Sequence, residues 1–319
     1  LGDLEICKKL ISLGCKSFFV ATHQEALKIR SKYKNVNIFV LNGLLNSKVT
    51  KQLVKKQITL VINNKNELNI LKNISKLIKS KIKCALQFDT GINRLGFNYD
   101  DLSFVNRDLL SFLNIRLIIS HLSNSENSSS VINKKQLKKF IFLKKKLDSF
   151  RTFKYSLSNS YGTKLDNSFH FDKIRTGGLL YGLKLTKEKK DKIKNVVSLK
   201  AKIIQVRNVA HGDTIGYGAS YVVKQDSKIA ILGIGYADGL PRNYKGKVYI
   251  KGYKASIVGR ISMDLCNIDI TDIPNIKANQ WVELFGDNIS IYDFAKTCNT
   301  ISYEIASRLG NRIYRIYIK

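Results

Sequence analysis

Apolar residues recur along the chain at two alternating spacings. In residues 3–13, Leu4, Cys7, Leu10 and Ile11 fall on one helical face, with Asp3 as an N-cap. The apolar run "SFFVAT" (17–22) follows, then a helical stretch carrying Ala26, Leu27 and Ile29, then the runs "NIFVLN" (37–42) and "TLVINN" (59–64). Leu68, Leu71, Ile74, Leu77 and Ile78 mark a strongly periodic helix. After it come "KCALQFD" (83–89), "RLIISHL" (116–122), a basic helix around 133–149, "FKYSLSN" (153–159) and "FDKIRTG" (171–177). Short apolar runs separated by helices predict βαβ units and a parallel sheet.

Seven such runs are present, whereas eight parallel strands close a (β/α)₈ barrel. The first recognisable element is a helix, so the strand lacking from the count is expected to be the first. The stretch "LTKEKKDKIKN" (185–195) has the polar, charged composition of a linker. Beyond it, "VVSLKAKIIQVRNV", "KIAILGIGYADGL", "GKVYIKGYKASIVG", "MDLCNIDIT" and "QWVELFG" read as short strands with Gly and Asn/Asp turns. Helices near 290–297 and 302–309 precede a final strand, "RIYRIYI". The expected fold class is α/β plus β. A TIM-like barrel missing its first strand spans 1–187, and a mostly β domain spans 196–319.

Composition narrows this picture. With 319 residues, 44% of them apolar, the chain can bury a large core. No apolar run approaches the ~20 residues of a membrane span. The cysteines, Cys7, Cys15, Cys84, Cys266 and Cys298, are scattered and never spaced as CxxC, which points to a reducing, cytoplasmic setting without a metal cluster. The net charge of +31 admits a nucleic-acid or anionic-membrane face. However, the lysines are spread along the length and accompanied by equally conspicuous Asn and Ile, so compositional bias is the preferred explanation. No specific nucleic-acid or membrane partner is expected.

Candidate chemistry gathers at the strand ends, where barrels place their functional residues. "QFDTGINRLGF" sets Arg94 on a loop loosened by Gly91, and "ISHLSNSE" ends a strand with His121. "SLSNSYG" puts Asn159 and Ser160 at a strand-to-helix turn, and "KIRTGGLLYG" gives Arg175 followed by Gly177 and Gly178. Ser160 near a helix start and the backbone N–H groups of the Gly-Gly turn suit an anion such as phosphate. The second domain adds "DTIGYGASY", "GIGYADGLPR", "GRISMDL" and "TISYEIASRLG", in which glycine beside tyrosine lets backbone approach a ligand while presenting a phenol.

Taken together, "DTGINRLGF", "SNSYG", "GYGASY", "IGYADG" and "GRISMD" resemble the motifs of the alanine racemases, pyridoxal 5'-phosphate (PLP) enzymes, and the resemblance runs through practically the whole chain. It implies that Arg175 faces the pyridine nitrogen, with His121 beside the ring and Asn159 close by. Ser160, Gly177, Gly178 and Tyr303 become phosphate ligands. Arg94 lies near the cofactor's phenolic oxygen and the substrate carboxylate; Tyr236 and Met263 are assigned to the substrate. Tyr217 becomes a catalytic acid/base, and Asp264 is placed with it. An arginine keeps its proton, so the ring nitrogen it faces stays largely unprotonated. Tyr217, Met263 and Asp264 are expected to reach the site of a partner subunit, giving a two-fold homodimer with composite sites.

In the family a lysine in a "KADAYGLG"-like segment holds the cofactor covalently, and Leu1-Gly2 resembles the last two residues of that segment. The anchoring lysine is therefore expected to be absent from this chain, none of Lys8, Lys9 or Lys16 being a substitute, and the chain as given to be inactive without it. Two departures are visible: Gln87 stands where many members have a carbamylated lysine, and Ser156 where some have a histidine. The expected activity is interconversion of L- and D-alanine for peptidoglycan synthesis by two-base proton transfer. The alternatives are a serine or broad-spectrum racemase and a non-catalytic PLP-binding remnant.

Overall fold

The structure is a computed structural model and describes residues 2–43, 46–186 and 193–318. The chain divides into two compact units, Gly2–Gly177 and Gly178–Lys319. The predicted linker at 185–195 lies largely outside the described residues.

In the first unit, β1 (Ser17–Val20), β2 (Asn37–Val40), β3 (Thr59–Ile62), β4 (Ile82–Gln87), β5 (Leu113–Ile119) and β6 (Tyr155–Ser156) form one parallel sheet in sequence order. Between them run α1 (Asp3–Ser12), α2 (His23–Lys32), α3 (Ser47–Lys55), α4 (Lys65–Ile78), α5 (Arg107–Phe112) and α6 (Val131–Asp148). The two faces of the sheet bury different sets. Phe39, Val61, Ala85, Leu117 and Ile119 cluster on one, while Ile38, Val40, Leu60, Ile62, Cys84 and Leu86 pack with the helices on the other. This two-sided burial explains why the strands read as continuous apolar runs.

Side-chain caps start the helices at the strand exits. Thr22 and Glu25 form a capping box at α2, and Asn46, Asn64 and Asn106 cap α3, α4 and α5. Three expectations change in detail. Asp3 is the first residue of α1 rather than its cap; Gly2 takes that position, and the Asp3 carboxylate accepts from Leu4 N–H at 2.9 Å and Lys28 Nζ at 2.8 Å. Leu77 and Ile78, at the end of α4, are exposed rather than buried.

The third difference matters more. The predicted seventh strand, 171–177, is not a strand, so six of the seven form. Phe171 sits at φ 51, a left-handed conformation that breaks an extended run at its start. The amides of Asp172 and Lys173 both donate to Tyr155 O, and Arg175 N–H donates to Ser158 O at 2.9 Å. The segment therefore lies along β6 but without ladder register.

In the second unit, β7 (Leu199–Val209), β10 (Ser227–Leu232), β11 (Lys247–Ile250), β12 (Tyr253–Val258), β13 (Cys266–Asp269) and β14 (Trp281–Phe285) close an antiparallel barrel in the order β10-β13-β12-β11-β14-β7. Ile203, Ala230, Leu232, Val248, Ile268 and Val282 are its wholly buried centre. A separate pair, β8 (Thr214–Ile215) and β9 (Tyr221–Val222), flanks the turn bearing Tyr217. The helices α7 (Ile291–Thr297) and α8 (Ser302–Arg308) follow. The expected final strand does not form: residues 312–318 carry no ladder, and Tyr314, Ile316 and Ile318 are exposed.

Candidate active site

The first unit holds six of the predicted residues: Arg94, His121, Asn159 and Ser160 at the exits of β4, β5 and β6, and Arg175 and Gly177 on the segment that follows. Asp89 shapes the loop after β4: its carboxylate accepts from the amides of Gly91 (2.6 Å), Ile92 (3.0 Å) and Arg94 (3.1 Å). Gly96, at φ 121, closes the loop where a Cβ would lie 2.9 Å from Asp89 N and Phe88 C. Arg94 projects exposed from this frame. Gln87 supports the loop rather than the arginine, donating through Nε2 to Leu95 O at 2.9 Å.

Arg175 is half-buried and anchored on neutral acceptors. Its Nη1 donates to Ser156 O (2.9 Å) and Ser156 Oγ (2.6 Å), and its Nη2 to the carbonyls of Ser120 and Leu157. The guanidinium also lies over the Phe19 ring, 6.0 Å from its centroid. No carboxylate pairs with it among the described residues, and burial pushes its pKa down to about 10. It remains a cation at neutral pH.

His121 lies between Arg175 and Asn159, with Arg175 Nη2 3.4 Å from Nδ1 and Asn159 Nδ2 3.4 Å from Nε2. Burial first, then Arg175 and Arg94, pushes its pKa down to about 4, so the ring is neutral. Arginine can only donate, so Nδ1 is the acceptor and Nε2 carries the hydrogen. Asn159 is held with its amide nitrogen toward the ring, because its Oδ1 accepts from Gly162 N–H (3.0 Å) and Ser125 Oγ (2.7 Å). Two donors thus face each other, and the Nε2–H of His121 is left to offer to a third group.

Ser160 Oγ accepts from Gly177 N–H at 2.9 Å, which joins the last two predicted elements. Ser160 starts a four-residue 3-10 turn, Tyr161–Lys164, rather than an α-helix, so anion binding here rests on individual donors and not on a helix dipole. A Cβ on Gly177 would meet only Ser160 Oγ, at 4.0 Å, so the backbone is open to a ligand. Two arginines, a neutral histidine, an amide and a hydroxyl, with no carboxylate partner on either guanidinium among the described residues, suit a ligand bearing a phosphate and a basic ring nitrogen. PLP fits this donor set.

The second unit presents its candidates on stitched turns. Gly216, Gly218 and Ala219 all have positive φ (81, 68 and 45) around Tyr217, which is 70% exposed. This turn rests on "GRISMD": Arg260 N–H donates to Ser220 Oγ at 3.1 Å, and a Cβ at Gly216 would lie 3.0 Å from Arg260 N. Tyr236 and Met263 are likewise joined, Tyr236 N–H donating to Ser262 O and Ala237 N–H to Met263 O, both at 3.0 Å. Gly235 permits that approach, since a Cβ there would be 2.3 Å from Met263 O. Tyr303 packs its ring against Gly178, where a Cβ would lie 2.1 Å from Cζ. Asp264 is engaged by Arg312 Nη2 at 2.8 Å. The sequence reading named neither Arg312 nor Asp89; only the recurrence of Asp beside Gly in "FDTG" and "YADG" hinted at a structural carboxylate.

An α/β unit with two cationic guanidiniums at its strand exits, in a chain that adds a closed β-barrel carrying exposed tyrosines, suits a class of proteins that bind small anionic ligands. Comparison with known proteins makes this specific. The family models "Alanine racemase, N-terminal domain" and "Alanine racemase, C-terminal domain" match residues 1–185 and 196–317. The alanine racemase of Rickettsia bellii is 43% identical over 325 residues, covering 99% of this chain and 78% of that protein. That of Rickettsia canadensis is 40% identical, covering 100% and 89%. Among solved structures, alanine racemase from Bartonella henselae with covalently bound pyridoxal phosphate superposes with a TM-score of 0.93 at 35% identity, covering 100% of this chain and 89% of its own. The chain belongs to the alanine racemase family.

Proposed function

We propose that this protein interconverts L- and D-alanine using PLP, as a cytoplasmic enzyme supplying D-alanine for peptidoglycan. One observation carries the reading: the carboxylate-free cluster of Arg175, His121 and Asn159 beside the open Ser160–Gly177 pair. Bound PLP supplies the electron-withdrawing ring that acidifies the substrate Cα–H.

The chain's own residues divide the remaining work. Arg175, locked as a cation, donates toward the pyridine nitrogen and does not hand over its proton. His121 offers Nε2–H and stays neutral. Ser160, Gly177, Gly178 and Tyr303 bind phosphate oxygens. Arg94 pairs with the substrate carboxylate, and Tyr236 and Met263 border its side chain. Tyr217 carries a proton to or from Cα on one face, serving the site of a partner copy in a two-fold dimer. No lysine of the described residues is assigned to the other face; Lys8 and Lys9 are exposed on α1.

Tyr217→Phe in the full-length protein tests the assignment. Racemisation is expected to fall by at least ~10²-fold, the usual contribution of an acid/base group. Cα–H exchange with deuterated solvent is expected to survive for one enantiomer only. Retained racemisation would refute the role of Tyr217. Comparing rates on alanine, serine and lysine decides the substrate. Borohydride treatment of PLP-loaded residues 1–319, followed by mass spectrometry, is expected to show no pyridoxyl-lysine; an adduct would place the anchor within this chain.

A further inference from the structure

Arg312 makes a contact that no motif anticipated. Its Nε lies 3.3 Å from Asp238 Oδ1 and its Nη2 2.8 Å from Asp264 Oδ1. Both carboxylates raise its pKa, so it stays charged. Asp238 is buried, and its other oxygen accepts the Gly235 N–H at 2.9 Å, which fixes the turn that begins the Tyr236 loop. Asp264 directly follows Met263 on the second loop. The main chain joins the two loops through the Tyr236–Ser262 and Ala237–Met263 bonds. The guanidinium ties the next residue of each loop, Asp238 and Asp264, directly beside them.

We propose that Arg312 is a positioning residue that fixes Tyr236 and Met263 relative to each other by gripping Asp238 and Asp264 at once. Its planar fork spans the two carboxylates, whereas a lysine presents a single point charge and can serve one of them. Exposed ion pairs add little to stability, and the Arg312 and Asp264 side chains are 53% and 55% exposed, so the clamp acts on geometry. The inference rests on the reading of Tyr236 and Met263 as substrate-side groups.

The test compares Arg312→Met and Arg312→Lys in the full-length protein by amide hydrogen exchange and by alanine kinetics. In Arg312→Met, exchange at the Tyr236 and Ala237 amides is expected to accelerate at least ~10-fold through local opening, with β10 and β13 amides unchanged. The alanine KM is expected to rise about tenfold with kcat within about threefold, the pattern of lost uniform binding. Arg312→Lys is expected to recover part of both, and decides the matter if the methionine variant does not fold. Unchanged exchange and KM overturn the proposal, as does acceleration spread evenly through the barrel. If the loop amides accelerate but the wild-type protein does not racemise alanine, the clamp stands and the functional reading fails.

Discussion

Ser156 holds Arg175 twice: one guanidinium nitrogen donates to its carbonyl at 2.9 Å and to its hydroxyl at 2.6 Å. A neutral hydroxyl buried at the sheet thus orients the cation. Ser156→Ala is expected to lower stability by about 1.5–3 kcal/mol, the worth of a hydrogen bond to a charged group. Urea unfolding measures it. The Ser156 and Ser120 carbonyls keep Arg175 in place, so PLP affinity should change less than tenfold.

Gly177 and Gly178 are adjacent and expected to behave differently. At Gly177 an added methyl enters open space beside Ser160, so Gly177→Ala should leave the melting temperature unchanged while weakening PLP binding at least ~10-fold by blocking the amide's approach. At Gly178 the methyl strikes the Tyr303 ring, so Gly178→Ala should displace that side chain and lower stability as well. Calorimetry and PLP titration separate the two.

Gly96→Ala should be the most damaging change near the site. It combines φ 121 with a Cβ driven onto the Phe88–Asp89 backbone, neither of which a rotamer can relieve. A loss of at least ~2 kcal/mol in urea unfolding is expected.

His121 sets a pH dependence with a definite sign. Its pKa is depressed from 6.5 to about 4 on folding, so the unfolded chain binds the extra proton in that interval. The stability it contributes is complete above pH 6.5 and is lost as pH falls toward 4. His121→Gln should therefore show a shallower decline of melting temperature between pH 6.5 and 4 than the wild-type protein, read by circular dichroism.

The sheet was legible because strands β2 to β5 bury residues on both faces, which leaves largely apolar runs in the sequence. Segment 171–177 has only Phe171 and Ile174 as large apolar residues, and its path is set by the Phe171 φ and by Tyr155 O taking two amides, neither of which the sequence displays. Arg94, His121, Asn159, Ser160 and Arg175 could be located by their position after apolar runs. What held them could not: the Ser120 and Ser156 carbonyls are backbone, without a side-chain signature. Arg312 was hidden for a related reason, since its two partners lie 74 and 48 residues away in sequence.

The Asp89 carboxylate gives the β4 exit loop its shape through main-chain amides alone, drawing nothing from the side chains of Ile92, Asn93, Arg94 or Leu95. Ile92 and Leu95 can therefore be exchanged without redrawing the path of the chain, whereas Asn93 sits at φ 55 and Arg94 is the proposed partner of the substrate carboxylate. A lineage, or an experimenter, could retune what this rim recognises while the scaffold beneath stays intact, so altered amino-acid preference is most accessible here.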